Sequence, residues 1–220
     1  MNVDLRYLGR RTKAIIKDPD DHIQKKWMHG NYYEAQGGGM MNYVFKHEPF
    51  RGKYIDIGAN IGNHTLFFKG VMEAKEVHSI EPYLKSYNHL VENVELNDFN
   101  DSVTCHYLAL GDKQGDCSVK VYGHFDGMAQ VTNGNDVLMF KVDDLDFFDG
   151  YDVVKIDVEG YNEELLKGAK ETFIKGKGSI YIEAENDEQL ETCDRYLNEY
   201  GYKRVEGLKL NHTATYLYKK

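Results

Sequence analysis

From about residue 50 to the C-terminus, the chain alternates between two hydrophobic periods. Short runs of β-branched and aromatic residues are followed by stretches in which apolar residues recur at three- and four-residue steps. This alternation predicts a parallel sheet connected by crossover helices, an α/β fold. The predicted strands are residues 54–57, 77–80, 103–107, 153–158 and 180–183, with a closing pair near 202–205 and 215–218.

Three helices are predicted between these strands. The clearest follows the second strand, where one apolar stripe is formed by Leu84, Tyr87, Leu90, Val91 and Val94. The other two cover about residues 162–173 and 187–200, and the first of these repeats apolar residues at helical spacing.

Residues 1–48 have a different pattern and form a predicted N-terminal extension, which is partly helical. In the segment DPDDHIQKKWMHG we expect Asp18 to cap a helix, Pro19 to take its first position and Gly30 to end it. The glycine run Gly37–Gly39 indicates a flexible connection, or alternatively the hinge of a lid. Residues 49–220 are then the catalytic or binding domain.

Composition and charge exclude several classes of protein. The 220 residues are 41% hydrophobic and 13% aromatic, enough for a substantial core. A net charge of −9 argues against nucleic-acid and anionic-membrane partners, which need a basic surface. No apolar run suits a signal peptide or a membrane span, and the three cysteines lack metal-ligand spacing. The expectation is a cytoplasmic protein with reduced thiols.

The first predicted strand runs into a glycine-rich turn and then a helix, which is typical of a nucleoside-binding corner. The pattern is D-x-G-x-N-x-G over Asp56, Gly58, Asn60 and Gly62, whereas a dinucleotide site favours G-x-G-x-x-G. Asp56 would repel a pyrophosphate but suits a ligand with a cationic amino acid end and a sulfonium. An NAD-linked oxidoreductase is therefore disfavoured.

Acidic residues follow the carboxyl ends of three further strands. Glu81 follows the second strand, where one carboxylate can hold both hydroxyls of a ribose. On the fourth strand, two-residue alternation places Lys155, Asp157 and Glu159 on one side, and Glu183 ends the fifth. These carboxylates converge on one predicted cleft. A purely structural interpretation, in which Lys155 only pairs with Asp157 or Glu183, stays open.

These segments resemble the FkbM family of S-adenosylmethionine-dependent methyltransferases. The matching stretches, in the family's order, are YIDIGANIGNHTLFF (54–68), SIEPYLKSYNHLVENVELN (79–97), ALGDKQG (109–115), VDDL (142–145), DVVKIDVEGYNEELLKGA (152–169) and IYIEAE (180–185). The KIDVEG and DIGANIG parts are the specific ones. Tyr33 and Glu34 look like the family's short upstream element.

The resemblance implies a class I methyltransferase (Rossmann-like) fold: a seven-stranded, mostly parallel sheet with helices on both faces and an antiparallel last strand. It also implies S-adenosylmethionine as cofactor and a sugar or other small molecule with a hydroxyl group as acceptor. The implied cofactor-binding residues, from the methionine end through the ribose to the adenine, are Asp56, Gly58, Asn60, Gly62, Glu81, Pro82 and Ala109.

For a hydroxyl acceptor, a base must remove a proton, and the candidates are Asp157 and Glu159, with Lys155 stabilising developing oxygen charge. His64, after the glycine turn, is an alternative base, and the simpler interpretation is that it caps or packs the first helix. Asp157, Glu159 and Glu183 are candidate ligands for Mg²⁺ or another divalent cation.

Two other functions stay open, namely N-methylation of a small amine and a non-catalytic nucleoside-binding partner protein. The acceptor pocket is expected to be built by residues 1–48 and 122–140.

Overall fold

A seven-stranded sheet forms the centre of the computed structural model, which describes residues 1–121 and 129–220. The strands along the chain are β1 (Asn2–Tyr7), β2 (Arg10–Ile15), β3 (Lys53–Ile57), β4 (Glu76–Ile80), β5 (Val103–His106), β6 (Ala109–Leu110), β7 (Gly115–Val121), β8 (Ala129–Phe140), β9 (Val153–Ile156), β10 (Ser179–Glu183), β11 (Lys203–Arg204) and β12 (Thr215–Lys219). The helices are α1 (His22–Met28), α2 (Met40–His47), α3 (Asn63–Gly70), α4 (Leu84–Leu96), α5 (Asn162–Lys167), α6 (Lys170–Lys175) and α7 (Asp187–Glu199), with short 3₁₀ turns at Val142–Asp144 and Asp146–Phe148.

The strand order in the central sheet is β11-β12-β10-β9-β3-β4-β5. Strands β10, β9, β3, β4 and β5 pair in parallel, whereas β12 is antiparallel to both of its neighbours. The predicted fold, mostly parallel with an antiparallel last strand, is confirmed. The chain adds β4 and β5 on one side of β3 and then returns to add β9 and β10 on the other. The carboxyl ends of β3, β4 and β9 therefore border one crevice, as at the switch point of other doubly wound sheets.

Alternate residues of the central strands pack against opposite faces of the sheet. On one face Tyr54 and Val153 contact the core that contains α3 and α4, and on the other Ile55 and Val154 contact α5, α6 and α7. All four side chains are buried. A sheet covered on both sides produces the continuous apolar runs that made these strands predictable.

Two predicted elements end differently from what the pattern indicated. Strand β9 stops at Ile156 because the chain turns there, and Glu159 adopts a left-handed conformation with φ +47°. Simple alternation therefore does not place Glu159. The helix predicted over residues 162–173 is two helices, α5 and α6, since the chain packs tightly at Gly168, where a Cβ atom would lie 1.9 Å from the carbonyl oxygen of Gly111.

The N-terminal segment contains a hairpin that the sequence did not predict, formed by β1 and β2. Helix α1 is capped by Asp21, whose Oδ1 accepts hydrogen bonds from the backbone N–H groups of Ile23 and Gln24. The prediction of Asp18 as the cap is wrong, because its carboxylate instead accepts from the N–H of Asp20 in the preceding turn, which also places Pro19 ahead of the helix. Gly30 lies just beyond the helix end with φ +73°, as expected for a terminating glycine.

Helix α3 is the surface on which the N-terminal segment packs. Leu5, Trp27 and Tyr32 are buried in the same core as Phe67 of α3. At the start of α3, Asn63 Oδ1 accepts hydrogen bonds from Trp27 Nε1–H at 3.0 Å and from the N–H of Tyr33 at 3.1 Å, while its Nδ2 donates to the Tyr33 carbonyl at 3.0 Å. The side-chain amide of Asn63 thus joins Trp27 and Tyr33 of the N-terminal segment to helix α3.

A small sheet with the order β6-β8-β7 lies beside the central sheet. The segment expected to be an irregular acceptor loop, 122–140, is therefore strand from Ala129 onward, and residues 122–128 lie outside the described part of the chain. Strand β8 was not recognised because its middle, TNGND, is polar on both faces and exposed or half-exposed, so no alternation marks it.

Across residues 1–121 and 129–220, the longest helices have 13 residues, and none combines the length and apolar character that crossing a bilayer requires. The three cysteines, Cys105, Cys117 and Cys193, are free thiols.

The Asn63 anchor leads to a stability prediction. Substitution Asn63→Ala leaves Trp27 Nε1–H and both backbone groups of Tyr33 without their partner, and we expect it to lower the free energy of unfolding by about 3 kcal/mol. Urea denaturation measures this change.

The matched control is Asn97→Ala, because half-buried Asn97 makes the same pair of hydrogen bonds to the backbone of Lys13, both exposed to solvent, and one more to the Asn93 carbonyl. Water can replace those bonds, so we expect a loss of about 1 kcal/mol or less. Equal losses for the two variants would contradict the anchoring role of Asn63.

Candidate active site

A cavity opens beyond the carboxyl ends of β3, β4 and β9. Its lining combines apolar residues with a group of acids and one lysine. The core of the fold contributes Gly58, Asn60, His64, Glu81, Pro82, Leu108, Leu110, Lys155, Asp157, Glu159 and Glu183 to this lining, and the N-terminal segment contributes Tyr33 and Glu34.

The glycine turn after β3 is shaped by close backbone contacts. Gly58 has φ +70°, and a Cβ at this position would lie 1.7 Å from the carbonyl oxygen of Asp157. The N–H groups of Gly58 and Ala59 both donate to the Ile80 carbonyl at 3.0 Å. Only glycine fits between the two strands here, which keeps the backbone open toward the cavity. Asn60 follows with φ +49°, and its Oδ1 is buried without a hydrogen-bond partner in the described structure.

Glu81 at the tip of β4 is held by two backbone N–H groups. Its Oε2 accepts from Asn60 and its Oε1 from Tyr83, both at 2.8 Å. The side chain is buried among cavity residues, and burial raises the pKa of Glu81 to about 7, against the lowering effect of these two hydrogen bonds. Each oxygen still has a lone pair for a further donor, as two neighbouring hydroxyls would provide.

Lys155 is buried between the two strands that flank the crevice. Its Nζ donates to the Gly58 carbonyl at 2.9 Å and lies 3.4 Å from Asp56 Oδ1 and 3.3 Å from Asp157 Oδ2. Burial alone would lower its pKa, but the carboxylates of Asp157 and Asp56 raise the pKa of Lys155 above its ordinary value. The ammonium therefore stays charged, and three acceptors surround its three N–H groups.

More carboxylates than cations surround the cavity. Burial, and then the charge of Asp157, raise the pKa of Glu159 to about 8 and the pKa of Glu183 to about 9. Glu185 adds to the effect at Glu159, and Glu34 adds to it at Glu183. The region thus holds more acidic groups than it can ionise together, and a cationic ligand would favour their charged forms.

Glu34 reaches the cavity from the N-terminal segment, with φ +64°. Its Oε2 lies 3.1 Å from Nε2 of His64 on the first turn of α3, and both side chains are largely buried. His64 therefore contacts a carboxylate inside the cavity and does not serve only to pack the helix, so it stays a candidate base.

The structure brings most of the predicted site residues together. Gly58, Asn60, Glu81, Pro82, Lys155, Asp157, Glu159 and Glu183 all line the cavity. Three predicted cofactor residues do not line it, namely Asp56, Gly62 and Ala109. Asp56 is fully buried behind Lys155, where Oδ2 accepts from Thr65 Oγ1 at 2.7 Å. Gly62 caps α3 at φ +95°, and Leu108 and Leu110 face the cavity in place of Ala109.

Several lining residues had not been singled out from the sequence: His22, Ile23, Leu108, Leu110, Tyr161 and Thr213. For Leu108 and Leu110 the signal was available, since they flank Ala109 at alternate positions of an extended segment. For His22 and Thr213 there was none, because they come from segments far from the motifs and meet the site only through the tertiary fold.

The predicted divalent cation site gains no support. Within the described ranges, no group of three or more His, Cys, Asp and Glu side chains is arranged to hold a metal ion. Asp157 is already paired with Lys155, and burial keeps Glu159 and Glu183 partly protonated near neutral pH. A metal would have to displace both a buried ammonium and bound protons.

Comparison with known families identifies the domain. The profile of the methyltransferase FkbM domain matches residues 56–204, well over half of the chain and the part that carries the cavity. The chain belongs to the FkbM methyltransferase family. No curated protein sequence matches it significantly.

Solved structures agree with the fold of an FkbM methyltransferase. Methyltransferase FkbM from Methylobacillus flagellatus KT superposes with a TM-score of 0.60 at 22% identity, covering 78% of this chain and 44% of that one. This chain thus spans less than half the length of that protein. The B. subtilis M1A22 tRNA methyltransferase gives 0.56 at 11% identity, covering 84% and 67%. A precorrin-6y C5,15-methyltransferase from Geobacter metallireducens GS-15 gives 0.50 at 14%, covering 81% and 83%.

The acidic cavity makes the ligand-free FkbM domain sensitive to pH. The pKa of Glu183, ordinarily 4.5, is raised in the fold to about 9, so the folded state binds a proton that the unfolded state releases. The free energy of unfolding must therefore fall as pH rises from about 5 to about 9. We expect a lower melting temperature at pH 9 than at pH 6, and a smaller difference for Glu183→Gln.

The control for this comparison is Glu206→Gln, which changes an exposed carboxylate and should keep the wild-type pH dependence. Thermal unfolding at a series of pH values makes the measurement. If Glu183→Gln showed the wild-type slope between pH 6 and pH 9, the raised pKa of Glu183 would be refuted.

Proposed function

We propose that this protein is an S-adenosylmethionine-dependent methyltransferase that methylates a hydroxyl group of a sugar or another small molecule. The observation that carries the proposal is the arrangement at Glu81: a buried carboxylate held by two N–H groups, next to a glycine turn and an excess of negative charge. A ribose diol and a cationic amino acid end are the chemistry that such a site accepts.

The residues present fit this cofactor. Glu81 would hold the ribose hydroxyls, and the turn at Gly58 with the unpartnered Oδ1 of Asn60 would take the ammonium of the methionine end. Pro82, Leu108 and Leu110 offer an apolar surface for the adenine. When bound, S-adenosylmethionine supplies a methyl group activated by its sulfonium.

Lys155 has a positioning role in this proposal. Its Nζ donates a hydrogen bond to the Gly58 carbonyl and forms ion pairs with Asp56 and Asp157, so its closest partners all belong to the protein. The ammonium fixes the Gly58 turn against β9 and holds Asp157 at the cavity. Asp56 likewise acts through Lys155 and touches no ligand itself. Correct alignment of the reacting groups, which these contacts secure, supplies much of the acceleration in a displacement reaction.

Glu159 is the base that we favour for removing the acceptor's proton. Asp157 already forms an ion pair with the buried ammonium of Lys155, at 3.3 Å, so its carboxylate is engaged with a protein group. The pKa of Glu159, raised to about 8, lies near physiological pH, where general base catalysis is most efficient. Glu159 therefore takes the proton from the hydroxyl oxygen of the acceptor. The Asp157 carboxylate adds negative charge beside the cationic cofactor.

N-methylation is a second candidate, favoured by the same excess of carboxylates, since Glu34, Glu183 and Asp157 could hold an ammonium substrate. An amine needs less help from a base. Mass spectrometry with S-adenosylmethionine and a panel of sugars and amines separates the two, because methylation of amines alone would replace the hydroxyl assignment. Absence of transfer to every acceptor would favour the non-catalytic partner role.

Cofactor binding tests the ribose assignment. S-adenosylmethionine should raise the melting temperature and NAD should not, because only a ligand bound by the native state stabilises it. For Glu81→Gln we expect affinity for S-adenosylmethionine to fall about tenfold or more, since an amide replaces a charged acceptor of two hydroxyl hydrogen bonds.

The control is Glu76→Gln at the amino end of the same strand, which lies outside the cavity and should keep its affinity. Isothermal titration measures both variants. Unchanged affinity in Glu81→Gln, or equal stabilisation by NAD, would be incompatible with the proposal.

Turnover tests the base. Once the screen provides an acceptor, Glu159→Gln should lower kcat about 100-fold or more while affinity for S-adenosylmethionine stays within about threefold. The control is Glu188→Gln, an exposed carboxylate on α7. Full turnover in Glu159→Gln would transfer the role to His64, whose substitution His64→Gln is measured in parallel.

A further inference from the structure

A second cavity adjoins the candidate active site on the side of the N-terminal segment. Tyr33 and Glu34 line both cavities and so form a common wall between them. The far side of the second cavity is built by the loop before β12, through Lys209, Asn211 and His212. None of these three residues belongs to the segments that match the family's motifs.

The chemistry of the second cavity is opposite to that of the first. Lys26, Lys209 and His212 all line it, and their side chains are exposed and form no ion pair or hydrogen bond with the described part of the chain. Most of the other cations near the active site are paired, including Lys155 with Asp56 and Asp157. Unpaired positive charge therefore collects here, in a chain whose net charge is −9.

The walls of this cavity are held in place by long-range contacts. Asn211, with φ +63°, accepts a hydrogen bond through Oδ1 from the N–H of Met40 at 2.7 Å and donates to Thr215 Oγ1 at 2.9 Å. On the opposite side Gly39 packs so closely that a Cβ would lie 2.0 Å from the Glu34 carbonyl oxygen. The loop with Lys209 and His212 is thus fixed against the start of α2, and the cavity exists without a ligand.

We infer that the second cavity is the subsite for a phosphate group of the methyl acceptor, an inference that rests on the proposed methyltransferase function. Two lysine charges match the dianion that a phosphate monoester carries near neutral pH, and His212 can add a further donor. The common wall at Tyr33 and Glu34 then places the sugar between the two cavities, with its hydroxyl toward Glu159.

Charge explains why phosphate is the favoured class over a neutral acceptor. A neutral sugar gains nothing from two unpaired lysine charges, whereas an anion is attracted to such a patch on a protein that is otherwise acidic. The Glu34 carboxylate keeps the anionic end out of the first cavity, which holds the cationic cofactor. The protein can therefore bind the cationic cofactor and an anionic acceptor side by side, and the two charges fix the orientation of the acceptor.

The test measures binding of glucose 6-phosphate to the full chain by isothermal titration, with and without saturating S-adenosylhomocysteine. We expect glucose 6-phosphate to bind, glucose to bind at least about tenfold more weakly, and added salt to weaken the binding. The substitutions Lys26→Gln and Lys209→Gln should each weaken glucose 6-phosphate at least about threefold and together at least about tenfold.

Two controls make the result specific. Lys25→Gln removes a neighbouring charge on α1 that pairs with Asp20 and does not line the cavity, so it should leave binding unchanged. Inorganic phosphate and glucuronate separate a free phosphate or a general carboxylate from a sugar phosphate. Binding of inorganic phosphate as tight as that of the sugar phosphate, or of glucuronate equally tight, would overturn the assignment, as would binding insensitive to both lysine substitutions.

The experiment also separates this inference from the proposed function. Affinity for S-adenosylhomocysteine is measured in every variant and should change less than about twofold in the lysine variants, because neither lysine lines the first cavity. If S-adenosylhomocysteine does not bind, the proposed function fails, whereas loss of sugar phosphate binding alone, with cofactor binding intact, overturns only the phosphate subsite.

Discussion

The buried ammonium of Lys155 is the interaction on which the site depends. It joins three pieces of the fold, namely the end of β3 through Asp56, the glycine turn through the Gly58 carbonyl and the end of β9 through Asp157. Breaking a buried pair leaves uncompensated charge, at a typical cost of about 3 to 5 kcal/mol. The central strands therefore cannot shift relative to the glycine turn without losing this compensation, and the cavity between them keeps its shape.

One ammonium does not neutralise the carboxylates that surround it. Burial raises the pKa of Glu81, Glu159 and Glu183 because each would otherwise add a further charge to a crowded, poorly solvated region. The ligand-free domain thus keeps protons that a cationic ligand can displace. The stability of the fold and the binding of a cation therefore depend on the same three carboxyl groups. Their negative charge destabilises the empty cavity but would favour a cationic ligand inside it.

The sequence predicted those parts of the fold whose pattern is set locally. The parallel strands of the central sheet, β3, β4, β5, β9 and β10, were predicted because a sheet covered on both faces favours continuous apolar runs, and the charged residues at their carboxyl ends stood out against these runs. The hairpin at residues 2–15 and strand β8 were missed because they carry polar residues on exposed faces. Asp56 was assigned to the ligand, yet its position behind Lys155 follows from packing with Thr65, which no spacing in the sequence reveals.

Segments outside the central sheet build the second cavity. Glu34 and Lys26 precede the matched motifs, and Lys209 and His212 follow them, so four side chains from the two ends of the chain meet around one wall. That meeting depends on Asn63 and Asn211, each of which ties distant backbone together through an amide. A change in either terminal segment can therefore alter the charge beside the first cavity while Lys155 and the glycine turn stay fixed, because connecting segments tolerate variation that the central sheet does not.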